Sequence, residues 1–450
     1  MKKLISLMLV LAAVLTLMAG AASAEGKNIN IYVWNQEFQG LVNSYYPGVA
    51  RDADGKAKTS SDLSVTYLTD GTEIHWIINP NQDGVYQQKL DEALMAQADA
   101  SDEDKIDIFL VEADYALKYT DAEVDIALPL SELGITADDL SAQFQYTKDV
   151  VTDVNGVLRG TSWQATPGLF AYRRSIAKDV FGTDDPDAIQ ERLSDWTKFE
   201  EAARELQAKG YYAYSSVADT YRVFSNNVSA PWVQGTSVVV DPNIMAWVEQ
   251  SKKYTDEGLN HNVSGQWIDE WNADQSASSK VFGFFYSTWG INFTLVGNAG
   301  EAGFGDWAVC PGPQPFFWGG SWLVAARGTD NPEHVKDIML AMTANPEILV
   351  TITKETQDFT NNEAAMNELA TDPSFGSAFL GGQNHVALFN QVAPTIDMSN
   401  VSAYDQGCAE CFQNAMGDYY HGQVDLATAK KNFEIKIMER YPELTEVVWP

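Results

Sequence analysis

Hydrophobic and polar positions alternate at the start of the chain with the period of a strand, and then recur with the period of a helix. Ile29, Ile31 and Val33 stand at every second position, which predicts a strand with these side chains on its buried face. Elements predicted in the same way are a helix after this strand, a strand at 73–78, a helix at 82–97 and a strand at 106–111. Strands that alternate with helices at this interval indicate an α/β fold with a parallel sheet covered on both faces.

Helix boundaries later in the chain carry recognisable end signals. Thr197 and Glu200 form a capping box, so we expect a helix that starts there and stops at Gly210. An Asn-Pro pair at 331–332 predicts another helix start, because Pro is favoured at the first helical position. A last amphipathic helix is predicted at about 426–438.

The first residues have the pattern of a secretory signal peptide. Two lysines and an apolar run at 4–18 precede a small-x-small pattern at 22–24, so residues 1–24 are predicted to be removed on export. Ala21 stands where a lipoprotein would carry its lipid-anchored cysteine, and the sequence as written therefore predicts no lipid attachment. No later segment reaches about 18 uninterrupted apolar residues, so we expect an exported protein in the extracellular, cell-surface or periplasmic space.

The length of the chain indicates the number of domains, and its net charge excludes one class of binding partner. The 450 residues predict two or three domains with ample apolar material for their cores. Lys and Arg total 29 against 62 Asp and Glu, which gives a formal charge of −33. Because phosphate binding needs a basic face, nucleic acid is excluded as a partner.

Motifs for nucleophilic, zinc, phosphate-loop or dinucleotide chemistry do not occur, and the five histidines lack ligand spacing. The sequence therefore predicts no catalytic residue, no metal site and no cofactor. Cys408 and Cys411 could form a short disulfide, and their surroundings do not resemble a redox site. A pair of glycosidase carboxylates stays possible, because so many acidic residues will bring some together in any fold.

Tryptophans in loop-like, glycine-rich or polar segments are the candidate ligand contacts. The chain has 13 Trp, more than core packing normally requires. Trp289 precedes a glycine and Trp318 precedes two, so each indole can lie open and offer a flat apolar face with one N–H donor. Sugar rings have an apolar face bordered by hydroxyls, which suits such a platform. Trp163 and Trp232 lie in similar segments.

Several segments together resemble one known family. They are the helix at 89–97 with the strand at 107–110, the stretch at 156–174, the helix start at 195–199, and the stretches at 307–313 and 319–333. In this combination the chain resembles the extracellular solute-binding proteins of ABC importers, in the large carbohydrate-binding branch that includes maltodextrin-type binding proteins. It departs from the family pattern at Arg173 and Arg174, where Asn and Lys are usual.

The resemblance implies a two-lobed periplasmic-binding-protein-like fold, with a ligand cleft between lobes that are joined by crossing hinge segments. The first lobe would hold 25–165 and 313–345, and the second 166–312 and 346–450. The function implied is that of a non-enzymatic, monomeric protein that captures an oligosaccharide and delivers it to the transmembrane subunits of an ABC permease. A secreted glycoside hydrolase or lyase, or a peptide- or polyamine-binding protein of the same fold, are the alternatives.

Positions carried over from the family give the expected binding residues. The first lobe contributes Trp34 and Asp114, the first crossing Gln164 with Trp163 beside it, and the second lobe Trp289, while Trp318 precedes the Gly-Gly strand. Asp70, Tyr86 and Trp232 are candidates by neighbourhood alone.

Overall fold

The computed structural model describes residues 28–82 and 84–450. The predicted signal peptide and Ala21 lie outside the described residues. Among the described helices, none combines the length and hydropathy that a membrane span requires.

Strands and helices alternate through the first lobe and helices predominate in the second. The strands are β1 (Asn28–Val33), β2 (Val65–Tyr67), β3 (Glu73–Ile78), β4 (Ile108–Glu112), β5 (Thr161–Ser162), β6 (Gly168–Arg173), β7 (Val233–Gln234), β8 (Ser237–Val239), β9 (Gly283–Ser287), β10 (Trp307–Cys310), β11 (Ser321–Ala325) and β12 (Glu446–Val448). The α helices are α1 (Glu37–Tyr45), α2 (Val85–Ala96), α3 (Ala116–Thr120), α4 (Gln145–Asp149), α5 (Arg174–Phe181), α6 (Pro186–Leu193), α7 (Trp196–Ala208), α8 (Ala218–Ser225), α9 (Pro242–Glu257), α10 (Asp269–Ala273), α11 (Val296–Ala299), α12 (Pro332–Thr343), α13 (Pro346–Thr356), α14 (Glu363–Thr371), α15 (His385–Val392), α16 (Asp405–Tyr420) and α17 (Leu426–Arg440).

The first lobe is built on a mixed sheet with the strand order β2-β3-β1-β4-β11-β5. Its centre is parallel as predicted, since β1 pairs in parallel with both β3 and β4. The flanking strands β2, β11 and β5 run antiparallel to their neighbours. Ile29, Ile31 and Val33 are fully buried, which confirms the face predicted from their alternation.

The sheets of the second lobe differ from the parallel sheet that the segments of the first lobe predicted. Its sheet has the order β10-β6-β9, and both pairs are antiparallel. A smaller sheet, β12-β8-β7, adjoins helices α9, α16 and α17, which share an apolar core with it. The alternation of strands and helices that indicated a parallel sheet is confined to the first lobe.

Three crossing segments join the lobes at 163–167, 311–320 and 357–362. The first crossing pairs with each of the others, because Gln164 forms a bridge to Thr360 and Pro167 forms one to Phe317. One apolar cluster continues from the first lobe through these crossings into the second. The fold is therefore the two-lobed, periplasmic-binding-protein-like architecture with crossing hinge segments.

The predicted lobe boundary at residue 345 is wrong for one helix. Helix α13 was assigned to the second lobe, but its Leu349 and Ile352 belong to the first-lobe core, beside α1. The chain leaves the first lobe only after this helix.

Two smaller expectations also need correction. Helix α7 begins at Trp196, because the Asp195 side chain accepts a hydrogen bond of 2.9 Å from the Lys198 backbone and takes the capping role predicted for Thr197. Cys408 and Cys411 lie on α16 as free, buried thiols and form no disulfide. Burial raises the pKa of the Cys408 thiol, which leaves it unreactive near neutral pH.

The close approach of β9 to β6 gives a test of this packing. A Cβ at Gly283 would lie 2.4 Å from the Ala171 carbonyl oxygen, and a backbone atom cannot yield as a side chain can. We expect Gly283→Ala to destabilise the protein by about 1–3 kcal/mol, measured by denaturant unfolding. Gly40→Ala in α1, where nothing lies within 4 Å, is the control and should be neutral or stabilising. Equal stability of the two variants would contradict the packing described here.

Candidate functional site

A cleft of about 1930 Å³ lies between the lobes, at the carboxyl ends of β1 and β4. Of the nine residues expected to bind ligand, the structure brings seven to this cleft. They are Trp34, Asp114, Trp163, Gln164, Trp232, Trp289 and Trp318. Their contact with a ligand stays a prediction.

Aromatic rings form the second-lobe wall of the cleft. Trp289 follows β9, and its Nε1 donates a 2.7 Å hydrogen bond to the Trp318 carbonyl oxygen. Trp318 is 6% exposed and stacks on Tyr286 with ring centroids 5.9 Å apart. Gly319 makes this approach possible, because its φ is +68° and a Cβ there would lie 3.1 Å from Trp289 Nε1. The first glycine after Trp318 is therefore needed for the contact between Trp318 and Trp289.

Trp267 completes this wall and was not predicted from the sequence. Its side chain is 52% exposed, and its ring lies parallel to that of Trp289 with centroids 6.1 Å apart. The backbone at Trp267 has a φ of +66°, which is uncommon for a bulky residue. Beside it, Gln266 Nε2 donates to the buried Asp219 carboxylate at 3.0 Å. The preceding glycine, Gly265, was the signal that could have revealed this loop.

The first-lobe side of the cleft is carried by Trp34, just after β1. Tyr86 meets this ring edge to face at a centroid distance of 5.3 Å. Tyr86 itself is fully buried, and its hydroxyl donates to the Leu110 carbonyl oxygen. It therefore supports Trp34 from below and does not line the cleft, contrary to the expectation from neighbourhood.

Asp70 lies outside the cleft, on another face of the first lobe. Its Oδ2 is 2.8 Å from His334 Nε2, near the start of α12. The hydrogen bond from His334 lowers the pKa of Asp70 to about 2. Its predicted role in binding is therefore not supported by its position.

Two tryptophans reach the cleft from buried positions. Trp163 is 1% exposed and stacks on Phe38 with ring centroids 5.0 Å apart. Trp232 packs against both Phe412 and Phe433 in the core beside the small sheet, is 8% exposed and also lines the cleft. Contacts with neighbouring core side chains cover most of the surface of both rings.

The floor of the cleft is a hydrogen-bonded network around Gln164 in the first crossing. Gln164 Nε2 donates to Glu37 Oε1 at 2.8 Å and to Asp358 Oδ2 at 3.1 Å. Asp358 lies in the third crossing and accepts a short hydrogen bond from the Thr288 hydroxyl of the second lobe. Ser321 of β11 donates its backbone N–H to Gln164 Oε1 at 3.2 Å. The first lobe and two crossings therefore meet at one amide, and Asp358 connects this amide to the second lobe.

Carboxylates on this floor have altered acidity. Desolvation in the deep cleft, together with the nearby Asp358 carboxylate, raises the pKa of Glu37 from near 4.5 to about 7. The Glu37 side chain is nevertheless exposed on its cleft side. The Glu37 carboxylate is therefore surrounded by protein on most sides and still accessible to a ligand in the cleft.

An ion pair joins the lobes across the cleft. Arg222 of α8 donates two hydrogen bonds to Asp114, at 2.7 and 2.6 Å. Desolvation opposes ionisation of Asp114, but the Arg222 guanidinium outweighs it and lowers the pKa of Asp114. Desolvation and the Asp114 carboxylate raise the pKa of neighbouring Glu112. Asp114 thus has an ion-pair partner, Arg222, that sequence patterns did not reveal.

Comparisons with known proteins agree with this architecture. Residues 78–376 match the family model of bacterial extracellular solute-binding proteins. The match spans more than half of the chain, and the protein belongs to this family. No curated protein sequence matches the chain.

Similar solved structures share the fold at low sequence identity. A structure described as an extracellular solute-binding protein of family 1 has a TM-score of 0.71 and 16% identity, covering 92% of this chain and 99% of its own. The ABC-transporter-associated binding protein of B. animalis subsp. lactis Bl-04, solved with beta-1,6-galactobiose, has a TM-score of 0.68 and 16% identity, with coverages of 94% and 100%. The sugar-binding protein MalE of Xanthomonas citri has a TM-score of 0.65 and 12% identity, with coverages of 92% and 98%.

The raised pKa of Glu37 predicts a change in pH dependence. Between about pH 4.5 and 7 the folded protein keeps a proton on Glu37 that the unfolded chain releases, so this group lowers stability as pH rises through that window. We expect the thermal midpoint of Glu37→Gln, relative to the unaltered protein, to rise across the window and level off above it. A difference that does not change with pH would contradict the assignment.

The interlobe ion pair predicts a shift in lobe position. Arg222→Gln removes both hydrogen bonds to Asp114, and we expect it to favour the open form by about 1 kcal/mol, the scale of a half-exposed pair. Small-angle scattering of the ligand-free protein should then give a larger radius of gyration. Arg192→Gln, which removes a surface pair with Glu205, is the matched control. Identical scattering from both variants would show that the Asp114 pair does not hold the lobes together.

Proposed function

We propose that this protein is an exported, non-enzymatic and monomeric binding component of an ABC importer, which captures an oligosaccharide in its cleft and delivers it to a membrane permease. Export would use residues 1–24 as the signal peptide. The observation that carries the proposal is the cleft itself, in which an aromatic wall on the second lobe faces carboxylates and amides of the first lobe and the crossings. The neighbour solved with beta-1,6-galactobiose and the sugar-binding MalE support a carbohydrate as the ligand class.

The rings of the wall suit the apolar faces of sugars. Trp267 and Trp289 present parallel indoles, and Trp34 lies on the opposite lobe. Tyr115 and Tyr221 also line the cleft, and their buried hydroxyls have no hydrogen-bond partner among the described residues. A ligand would reach these hydroxyls only if its binding uncovered them, whereas the exposed Glu37 carboxylate could accept from saccharide hydroxyls directly.

The size of the cleft favours a ligand of several sugar rings. Pockets for compact ligands commonly measure about 300–1,000 Å³. At about 1930 Å³, this cleft is larger than that range. A monosaccharide would leave most of it filled with water, whereas an oligosaccharide could contact both lobes.

Capture would follow from closure of the lobes. A ligand that contacts both walls gains its full set of contacts only in the closed form, so its binding shifts the population toward that form. The crossings at the floor are the segments about which the lobes would rotate. Closure would then change the outer surface that a permease meets.

A tryptophan-fluorescence titration against oligosaccharides of varied linkage tests the proposal, with peptides and polyamines as controls. Saturable quenching by a sugar, with chromatography showing the sugar intact afterwards, is the expected result. Shortened sugar would instead identify a glycoside hydrolase or lyase. No fluorescence change with any sugar, together with a change on addition of a peptide or polyamine, would contradict carbohydrate binding. It would not contradict the fold.

The aromatic wall predicts the effect of two substitutions. Trp289→Ala and Trp267→Ala should each weaken sugar binding by about 1 kcal/mol or more, because each removes an apolar platform from the ligand. Isothermal titration calorimetry measures the loss. Trp449→Ala is the control, since this ring packs on Phe433 outside the cleft. Unchanged affinity in both cleft variants would remove the wall from the binding site.

A further inference from the structure

The side chains that line the cleft are acidic far more often than basic. Its described acidic lining residues are Glu37, Asp91, Glu92, Glu112, Asp114, Asp358, Asp397, Asp405 and Glu410. The cationic side chains among the described lining residues are Arg222 and Arg440, and each already pairs with a carboxylate of the cleft, Asp114 and Glu410. Asp91 and Glu92 are paired as well, with Lys118 and Lys89. An anionic ligand would therefore meet no unpaired cation among the described lining residues, whereas a cationic one would meet carboxylates without an ion-pair partner, among them Glu37 and Asp358.

The pair formed by Glu37 and Asp358 at the floor has no counter-ion. Both accept from Gln164 Nε2, and Asp358 also accepts from the Thr288 hydroxyl and the Phe359 backbone N–H. No ion pair joins either carboxylate to a cation in the described part of the chain. Each carboxylate thus lies near another negative charge with only neutral donors around it, and the mutual repulsion contributes to the raised pKa of Glu37.

A ligand hydroxyl and a ligand ammonium would act differently at this pair. A hydroxyl adds one hydrogen bond and leaves the repulsion in place. An ammonium donates hydrogen bonds and also offsets the negative charge, and the interaction is strengthened where protein surrounds the site. The indole faces in the same cleft favour a cation as well. The aromatic wall is compatible with such a cation as well as with the apolar face of a sugar, and the preference for a positive charge comes from the unpaired carboxylates.

We propose that the cleft selects saccharides that carry a protonated amine, and that the ammonium group lies against Glu37 and Asp358. This inference rests on the proposed function, since it takes the ligand to be a saccharide. Saccharides that carry carboxylates or sulfates would be rejected.

Three β-1,4-linked trisaccharides that differ only at carbon 2 provide the test: cellotriose with a hydroxyl, chitotriose with an amine and tri-N-acetylchitotriose with an acetamide. Calorimetric titration is made at low ionic strength and at several pH values on either side of neutral, because the chitotriose amines and the Glu37 carboxylate both titrate in this range. We expect chitotriose to bind at least about tenfold more tightly than the other two. Its affinity should also fall steeply with added salt, because the Debye length is only about 10 Å at 0.1 M.

A variant locates the effect on the floor of the cleft. Glu37→Gln should reduce the ratio of chitotriose to cellotriose affinity by about tenfold, because it removes a carboxylate that a bound ammonium would hold in its charged form. Glu249→Gln is the control. This carboxylate is exposed on α9 outside the cleft, and its removal should leave the ratio unchanged.

The outcomes separate this inference from the proposed function. Cellotriose or the acetylated sugar binding as tightly as chitotriose would overturn amine selection and leave saccharide capture intact. Silence with all three sugars would also overturn it, while the linkage panel would decide saccharide capture separately. Spermidine binding as tightly as chitotriose, with no sugar response in that panel, would overturn both.

Discussion

The hydrogen bonds of the Gln164 side chain connect the parts of the molecule on which function depends. This amide bonds to Glu37 at the start of α1, to Asp358 in the third crossing and to Ser321 in β11. Asp358 extends the network to Thr288 in the second lobe. Because the chain passes between lobes at the same place, the floor of the cleft and the hinge are one structure. A ligand that contacts this floor would therefore act on the hinge directly.

The network also has an energetic cost. Two carboxylates near one amide repel one another, and neutral donors compensate this repulsion only in part. Titratable groups whose pKa is shifted by burial and by a neighbouring like charge are common at functional sites, where a ligand can supply the missing partner. The second-lobe wall has a similar property, because Trp267 keeps a wide apolar surface open to water and an unusual backbone conformation. A bound ligand could reduce the repulsion between the carboxylates of the floor, and it would cover the exposed ring of Trp267 in the wall.

Sequence patterns predicted those parts of the fold that depend on local periodicity. The strand at 73–78 has the bounds of β3, and the loop tryptophans Trp289 and Trp318 do lie at the cleft. Contacts between distant segments were not predictable in this way. The Asp114–Arg222 pair joins residues 108 positions apart, and no single-sequence pattern records it. The antiparallel second sheet and the position of α13 likewise depend on tertiary packing, which overrides local signals.

The Asp114–Arg222 pair has a consequence for the rate at which a ligand could be captured. It joins the two lobes across the cleft. A ligand that has to part the lobes in order to enter would do so only during the intervals in which the pair is broken. At high ligand concentration, the observed association rate would then reach a ceiling set by the frequency of these openings. Under such gating, the speed of uptake from a rich medium would be a property of one arginine and one aspartate, separate from the affinity of the aromatic wall for its ligand.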